Sequence, residues 1–336
     1  MSNNDVDTII KLLRQTTSLA IVKDFLKNKD LHHSASSWDE LREKRISPAL
    51  DSKQLSKKEL IDLLRQAEEH GRQHIFLYKC PAKKAQDLMD RNKIEHALKK
   101  KGLDSLLTTP TVLDQPSEPT ISDIRWEGDT DRPSHFTVKI VEQRISHVYL
   151  EESEENGFFI KRYEKVKERA VNIARLHRNG SLEIRITSHS NSSKYHSDVN
   201  KIIGQLSDII DLSGFTEVSL YQLKNKLWDD RASLGGIIKY SDSTLRNNLG
   251  TVLKAATGDP NCNLIDDTGA DSSLETFMSH DAYCDSSNIW LIKNEPLPSK
   301  DIHILLSGEV NEFAITAHCN QLDYEHALNQ LQKLNS

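Results

Sequence analysis

Cysteine is scarce and scattered. Cys80, Cys262, Cys284 and Cys319 show no C-x-x-C spacing, so the sequence offers neither a disulfide framework nor a thiolate metal clip. Four reduced thiols are the simplest reading, with a single bonded pair left open. Long apolar runs are missing as well. None approaches the roughly 18 residues that cross a bilayer, and the first residues carry neither the basic stretch nor the apolar core of a secretory signal. The expected setting is the cytoplasm, or the nucleus in a eukaryote, with no membrane partner. The 13 glycines form no G-x-G-x-x-G, no G-x-x-x-x-G-K-S/T and no G-x-S-x-G. Without these there is no glycine-rich cradle for nucleotide phosphates and no nucleophile elbow.

What the chain does have is charge, unevenly divided. Residues 1–106 hold about five more Lys and Arg than Asp and Glu, while residues 107–336 are net acidic by about eleven. Such a division suits a protein that brings its basic end to a polyanion. A length of 336 residues with 37% hydrophobic and 28% charged residues predicts two or three globular domains.

The first hundred residues predict consecutive helices. Ile9, Leu12 and Leu13 share one face; Ile21, Val22, Phe25 and Leu26 share another. Leu60, Leu63 and Leu64 mark a third, with Ser56 and Glu59 spaced as a capping box and Gly71 as its stop. Residues 74–78 form a short β-prone run ended by Pro81, and a further helix runs through Leu88, Ile94 and Leu98 to Gly102. Residues 107–122, with Pro110, Pro116 and Pro119, have linker composition.

Strands and helices mix beyond the linker. Phe136, Val138 and Ile140 alternate, and Val148 and Leu150 continue a partner strand. Val166, Ala170, Ile173 and Ala174 predict a helix over residues 161–178. Leu182, Ile184 and Ile186 predict a half-buried strand, and Ser197 caps a helix through Val199, Ile202 and Leu206. More helix is expected around Leu223 and around Leu245, Leu249 and Leu253. Residues 259–287 read as a polar acidic loop. Strands at 302–306 and 313–315 flank a turn at Ser307 and Gly308, and Tyr324, Leu328 and Leu331 mark a last helix. The predicted class is α+β: an N-terminal all-helical bundle over residues 1–106, a linker over 107–122, and a mixed, mainly antiparallel sheet-and-helix domain over 123–336, with room for a subdivision at 212/213.

Within the basic part, residues 19–31 run through Lys23, Lys27 and Lys29 to Leu31, and Ser34, Ser36 and Ser37 precede Trp38, Leu41, Arg42, Lys44 and Arg45. This stretch resembles the SAP motif, a short helix–turn–helix DNA-binding unit, although its turn carries Ala35, Ser36 and Ser37 where the motif usually has glycine and lysine. The resemblance implies phosphate contacts from Lys23, Lys27, Lys29, Arg42, Lys44 and Arg45. By charge alone, the same cations and a helix start near Ser37 suit phosphate oxygens, against the plainer reading of a solvated face interrupted by Asp24, Asp30, Asp39 and Glu43. A basic helical bundle ahead of a sheet-and-helix core is also similar in layout to the centromere proteins of the CENP-N/Chl4 family, which implies a nucleic-acid-associated scaffold. Inside the acidic part, the cationic stretch 161–178 adds Lys165 and Arg169 as further candidates.

Other constellations predict no catalysis. His70 and His74 flank a glycine and a β-prone run, so zinc ligation is not expected, and His318, Cys319 and His326 lack a fourth ligand at metal spacing. The oxygens between Asp259 and Asp271 do not fall in calcium-loop register. Asp123 with Glu142 and Arg144, or with Glu183 and Arg185, approaches the pattern of a Mg²⁺-dependent nuclease, but each tripeptide ends in arginine where lysine is needed. Outward-facing strand charges are the plainer account. Ser188, His189 and Ser190, with Tyr195, His196, Ser197 and Asp198, bring hydroxyls, imidazoles and a carboxylate close in sequence without the geometry of a triad. The expectation is a non-enzymatic protein without cofactor or metal, binding DNA through its basic bundle and a protein partner through its acidic domain. A divergent nuclease and a pure protein adaptor are the alternatives.

Overall fold

A computed structural model describes residues 3–129, 131–189, 195–259, 261–306 and 309–336. Ser190 and the expected turn at Ser307 and Gly308 lie outside the described residues.

The chain opens with helices α1 (Asn3–Thr16), α2 (Leu19–Lys27), α3 (Trp38–Leu41), α4 (Ser47–Asp51) and α5 (Lys57–Glu68), with a π-helical turn at Arg42–Ile46 joining α3 to α4. Their starts follow from side-chain caps. Ser18 and Ser37 accept from the backbone N–H groups of Ile21 and Glu40, and Ser56 with Glu59 forms the anticipated capping box. Ile9, Leu12, Leu13, Val22, Leu26, Leu60 and Leu64 close an apolar core of their own.

Next come β1 (Gly71–Lys79), α6 (Ala82–Leu88), α7 (Arg91–Lys101), β2 (Thr120–Gly128), β3 (Pro133–Glu155), β4 (Phe158–His177), β5 (Ser181–Thr187), α8 (His196–Ser207) and β6 (Thr216–Glu217). The chain continues through α9 (Tyr221–Asp229), α10 (Arg231–Leu234), β7 (Ile238–Asn247), β8 (Val252–Ala256), α11 (Thr268–Met278), β9 (Ala282–Leu291), β10 (Ile302–Leu306), β11 (Glu312–His318) and α12 (Gln321–Leu334). The strands form one antiparallel sheet in the order β2-β3-β4-β5-β1-β11-β10-β9-β7-β8, with β6 beside β1. The fold class is therefore α+β.

The sequence sets a domain limit at 106/107, whereas the packing changes earlier. β1 stands in the middle of the sheet, and Met89, Ile94, Leu98 and Leu106 pack against Phe136, Val138, Leu176 and Ile184. The helices that share a separate core end at Glu68. β1 serves both halves of the sheet: Phe76 enters the core beneath α6, α7 and α8, while Ile75 and Leu77 enter the core that holds Leu223, Tyr324 and Leu328.

Three elements differ from the sequence reading. Residues 161–177 are strand, not helix. From Ala170 to Leu176 every residue is buried, so both faces of β4 are covered and the two-residue alternation is erased. Leu245, Leu249 and Leu253 belong to the β7–β8 hairpin, not a helix. Leu249 is 90% exposed in a turn where the Asn247 side chain accepts from the N–H groups of Leu249 and Thr251 and Gly250 takes positive φ. Residues 259–287 are not one loop, because Asp267 caps α11 by accepting from Gly269 and Ala270 N–H, and β9 follows. α8 begins after Tyr195, so Ser197 is not its cap.

Candidate nucleic-acid interface

The structure separates the eight cations singled out from sequence. Lys29 pairs with Glu59 at 2.5 Å, Arg42 with Asp7 at 2.5 Å and Lys44 with Glu40 at 3.5 Å. Lys23 donates to the Ala35 carbonyl, and Arg45 to those of Ser34 and Lys44. Lys27 is exposed on α2. Lys165 is exposed on β4, whereas Arg169 is nearly sealed, donating to Glu68 at 2.6 Å and to the Leu113 carbonyl at 3.0 Å.

The long hairpin of β3 and β4 gives Lys165 its setting. β2 pairs with β3 only as far as Val141, and β5 pairs with β4 only from Ile173. Beyond those points the hairpin continues as a two-stranded ribbon closed by Asn156 and Gly157, both at positive φ. That dipeptide forms the turn whose twist matches a hairpin.

Alternation fixes the two sides of the ribbon. Lys139 and Arg169 both donate to Glu68 of α5, so their side of the sheet faces the helical region. Ile145, His147 and Tyr149 continue the Lys139 side along β3, and Lys167, Lys165 and Tyr163 continue the Arg169 side along β4. Tyr149 and Tyr163 stand opposite each other with ring centroids 5.8 Å apart and planes at 71°. Three potential cations and two aromatic rings thus line this part of the ribbon face without a carboxylate among them. Past the bulge at Tyr149–Glu151, Lys161 pairs with Glu152 and Arg162 with Glu151.

At the root of the ribbon the same face opens into a groove of about 380 Å³, bounded by Gln15 and Thr16 of α1, Arg72, Lys167, His189 and His318. Arg72 enters it through a β-bulge. Gly71 takes φ +81° and lies so close to β11 that a Cβ there would stand 2.1 Å from the Ala317 carbonyl oxygen. Arg72 follows at φ +50°, a left-handed conformation that costs a non-glycine residue about 1 kcal/mol or more. Its carbonyl accepts from Ser188 N–H at 2.8 Å, and its side chain is exposed. Burial, reinforced by Arg72, lowers the pKa of His318, whose Nδ1 is buried without a partner.

Beneath the helical region the sheet face is charged rather than apolar. The expectation that Asp123, Glu142, Glu183 and Arg185 are outward-facing strand charges is overturned, since all four are buried. Asp123 accepts from Arg65 and Arg125 at 2.8 Å each, and Glu183 from Arg185 at 2.8 Å and Tyr324 at 2.6 Å. Burial alone would raise the Glu183 carboxyl, but Arg185 and His177 hold it well below its usual range. Glu142 lies on the other face, with Arg144 and Asn172, both at 2.9 Å. Two buried, arginine-paired carboxylates on one face and one on the other do not converge on a Mg²⁺ ion. Among the described residues no group of three or more His, Cys, Asp or Glu is placed to hold a metal.

The sequence grouping around His189 becomes a real contact: Nε2 lies 2.6 Å from Asp198 Oδ2. Tyr195 joins the same group, its hydroxyl accepting from His189 N–H at 3.1 Å, and stacks on His74, 3.9 Å between ring centroids, while His74 reaches Glu312 at 2.5 Å. Cys80, Cys262, Cys284 and Cys319 are all unpaired. Among the described residues no helix is long and apolar enough to cross a membrane. Sequence reasoning counted Lys167 in the cationic stretch 161–178 and missed Arg72, His147, Tyr149 and Tyr163. The hairpin signal of Asn156 and Gly157, between charged stretches that alternate with Tyr, Val and Ile, could have found the last three. No protein-family model matches the chain, and no curated protein shows a significant match to it.

Proposed function

We propose that this protein is a non-enzymatic nucleic-acid-binding scaffold that grips a polyanion between its N-terminal helical bundle and the β3–β4 ribbon. The carrying observation is the run of His147, Tyr149, Tyr163, Lys165 and Lys167 on the bundle-facing side of the ribbon. Lysines at that spacing meet successive phosphates as point charges, and the tyrosine rings offer faces for bases. A two-stranded ribbon also has the width of a duplex major groove. Lys27 and the loosely held Lys23 on α2 would add long-range attraction, while Lys29, Arg42 and Lys44 spend much of their charge on neighbouring carboxylates. The likeness of residues 19–45 to the SAP motif, and of the layout to the CENP-N/Chl4 proteins, supports the same reading. The acidic remainder is assigned to a protein partner inside the cell.

The test is a salt titration of labelled duplex and single-stranded DNA by fluorescence anisotropy. Binding is expected to weaken steeply with salt. Lys165→Glu with Lys167→Glu should lower affinity at least tenfold and flatten the log–log salt slope by about two, from about 0.9 per lost phosphate contact. Binding that ignores both salt and these two lysines overturns the proposal.

A further inference from the structure

The groove at the ribbon root is bordered by cations that no carboxylate neutralises. Arg72 and Lys167 line it with exposed side chains, and among the described residues neither forms an ion pair. The carboxylates nearby are engaged elsewhere. Glu68 lies under Arg169 and Lys139 at 2.6 Å each, and Asp198 holds His189. Glu168 alternates to the other side of β4, where Ser146 donates to it at 3.4 Å.

Arg72 lines the groove because the backbone bends to send it there. Gln73 is in register with Thr187 and so shares the sheet face that carries Arg169 and Lys167; plain alternation would put residue 72 on the opposite face. The bulge between Gly71 and Gln73 re-aims it, with Arg72 left at φ +50°. Strain of this kind persists where the surrounding structure holds a side chain to a task. His318, paired with Gly71 across the bulge, feels the Arg72 charge, and its buried Nδ1 has no hydrogen-bond partner.

The walls of the groove are the end of α1 at Gln15 and Thr16, Gln115, and the ends of β5, β1 and β11 at Ser188, Arg72 and His318. Gln115 is tied to the ribbon by donating to the Lys167 carbonyl at 3.4 Å. From Lys167 the same face continues outward to Lys165, Tyr163 and Tyr149. A strand laid along the ribbon therefore meets these walls at the root. The volume of about 380 Å³ lies near the lower end of the ~300–1,000 Å³ range of small-ligand sites, which suits a chain end rather than a duplex passing through.

We propose that this groove holds the terminal phosphate monoester of a nucleic-acid strand lying along the ribbon, with Arg72 and Lys167 on its oxygens and His318 Nδ1 donating to it. The inference rests on the nucleic-acid reading and adds the kind of end that is recognised. A monoester carries about two negative charges near neutral pH, which two uncompensated cations match, whereas an internal diester carries one. The planar guanidinium can meet two phosphate oxygens at once, and the lysine acts as a point charge beside it.

The test uses single-stranded DNA of one sequence with an internal fluorophore, bearing a 5′-phosphate, a 3′-phosphate or hydroxyls at both ends. Each is titrated with the full chain by anisotropy at one salt concentration. One phosphorylated form is expected to bind at least tenfold more tightly than the unphosphorylated strand, and which one it is gives the strand's polarity on the ribbon. Arg72→Ala should remove most of that advantage. Lys165→Glu, outside the groove, should weaken all three strands and keep their ratio. Equal binding of the three strands, or an advantage that survives Arg72→Ala, overturns the inference and leaves the nucleic-acid reading standing. Binding of none of them removes both.

Discussion

Glu68 and Arg169, 101 residues apart in the chain, are joined at 2.6 Å with both side chains almost sealed from water. Lys139 Nζ donates to the same carboxylate, also at 2.6 Å. One buried anion at the end of α5 therefore neutralises cations from two strands and ties the helices to the root of the ribbon. Glu68→Gln leaves Arg169 buried without a carboxylate and Lys139 with Glu69 alone at 3.5 Å, which is expected to cost about 3 kcal/mol. Urea unfolding should show the midpoint falling with little change in slope. Replacing all three residues by Leu or Met of similar volume should recover most of the loss, because no charge is then left behind.

Acid is expected to weaken the buried charged layer of the sheet in two stages. Burial, helped by Arg185, takes His70 down to about 3, and burial with His177 beside it takes His135 down to about 4. Burial would raise the Glu69 carboxyl, but Arg125 and Lys139 hold it far below its usual range, as Arg185 and His177 do for Glu183. In every case the folded value lies below the unfolded one, so the unfolded chain binds more protons as pH falls. The contribution of these groups is complete above about pH 6.5. It declines first as the unfolded histidines charge and then, below about pH 4.5, as the carboxylates protonate. Each histidine adds up to about 1.4 kcal/mol per pH unit to the first stage. His70→Gln with His135→Gln should flatten the curve from about pH 6.5 down to about pH 3, leaving only the carboxylate contribution in its lower part, as urea titrations at successive pH values would show.

The elements that sequence made legible are those buried on one side only. The helix through Val199, Ile202 and Leu206, the capping box at Ser56 and Glu59, and the last helix through Tyr324 and Leu328 all follow periodicities that burial preserves. β4 was hidden because residues 170–176 are covered on both faces, and its Arg175 sits in a charged layer that a hydrophobic pattern cannot reveal. Glu183 and Arg185 misled for a related reason. Alternating charges along a strand ordinarily mean a wet face, and only the tertiary arrangement of Glu183 with Tyr324 and His177 makes that face dry. Of the candidate site, Lys165 and Lys167 were legible as cation content. Its placement was not, because pairing partners such as Asp7 and Glu59 come from elsewhere in the chain.

Gly71 and Arg72 should separate stability from binding. Gly71→Ala forces a Cβ against the Ala317 carbonyl at a positive φ, and a loss of about 2 kcal/mol or more is expected in thermal unfolding. Arg72→Ala removes an exposed side chain and should change stability by no more than about 0.5 kcal/mol. If its guanidinium meets a phosphate in the groove, the salt slope of DNA binding should fall by about 0.9 in that variant, alike for all sequences.

The tyrosine pair should report which form of nucleic acid the ribbon reads. Tyr149 and Tyr163 are 51% and 54% exposed and pack on each other rather than into a core. Tyr149→Ala with Tyr163→Ala should therefore leave the melting temperature nearly unchanged. A single strand can lay bases on these rings, and stacking is worth about 1–3 kcal/mol per base. In a duplex the bases are already stacked on one another, leaving the lysines to act on phosphates alone. The double substitution is expected to weaken single-stranded DNA about tenfold and duplex less than threefold, whereas Lys165→Glu with Lys167→Glu should weaken both. Anisotropy titrations of the two DNA forms at one fixed salt concentration, with circular dichroism melts of each variant, measure the difference.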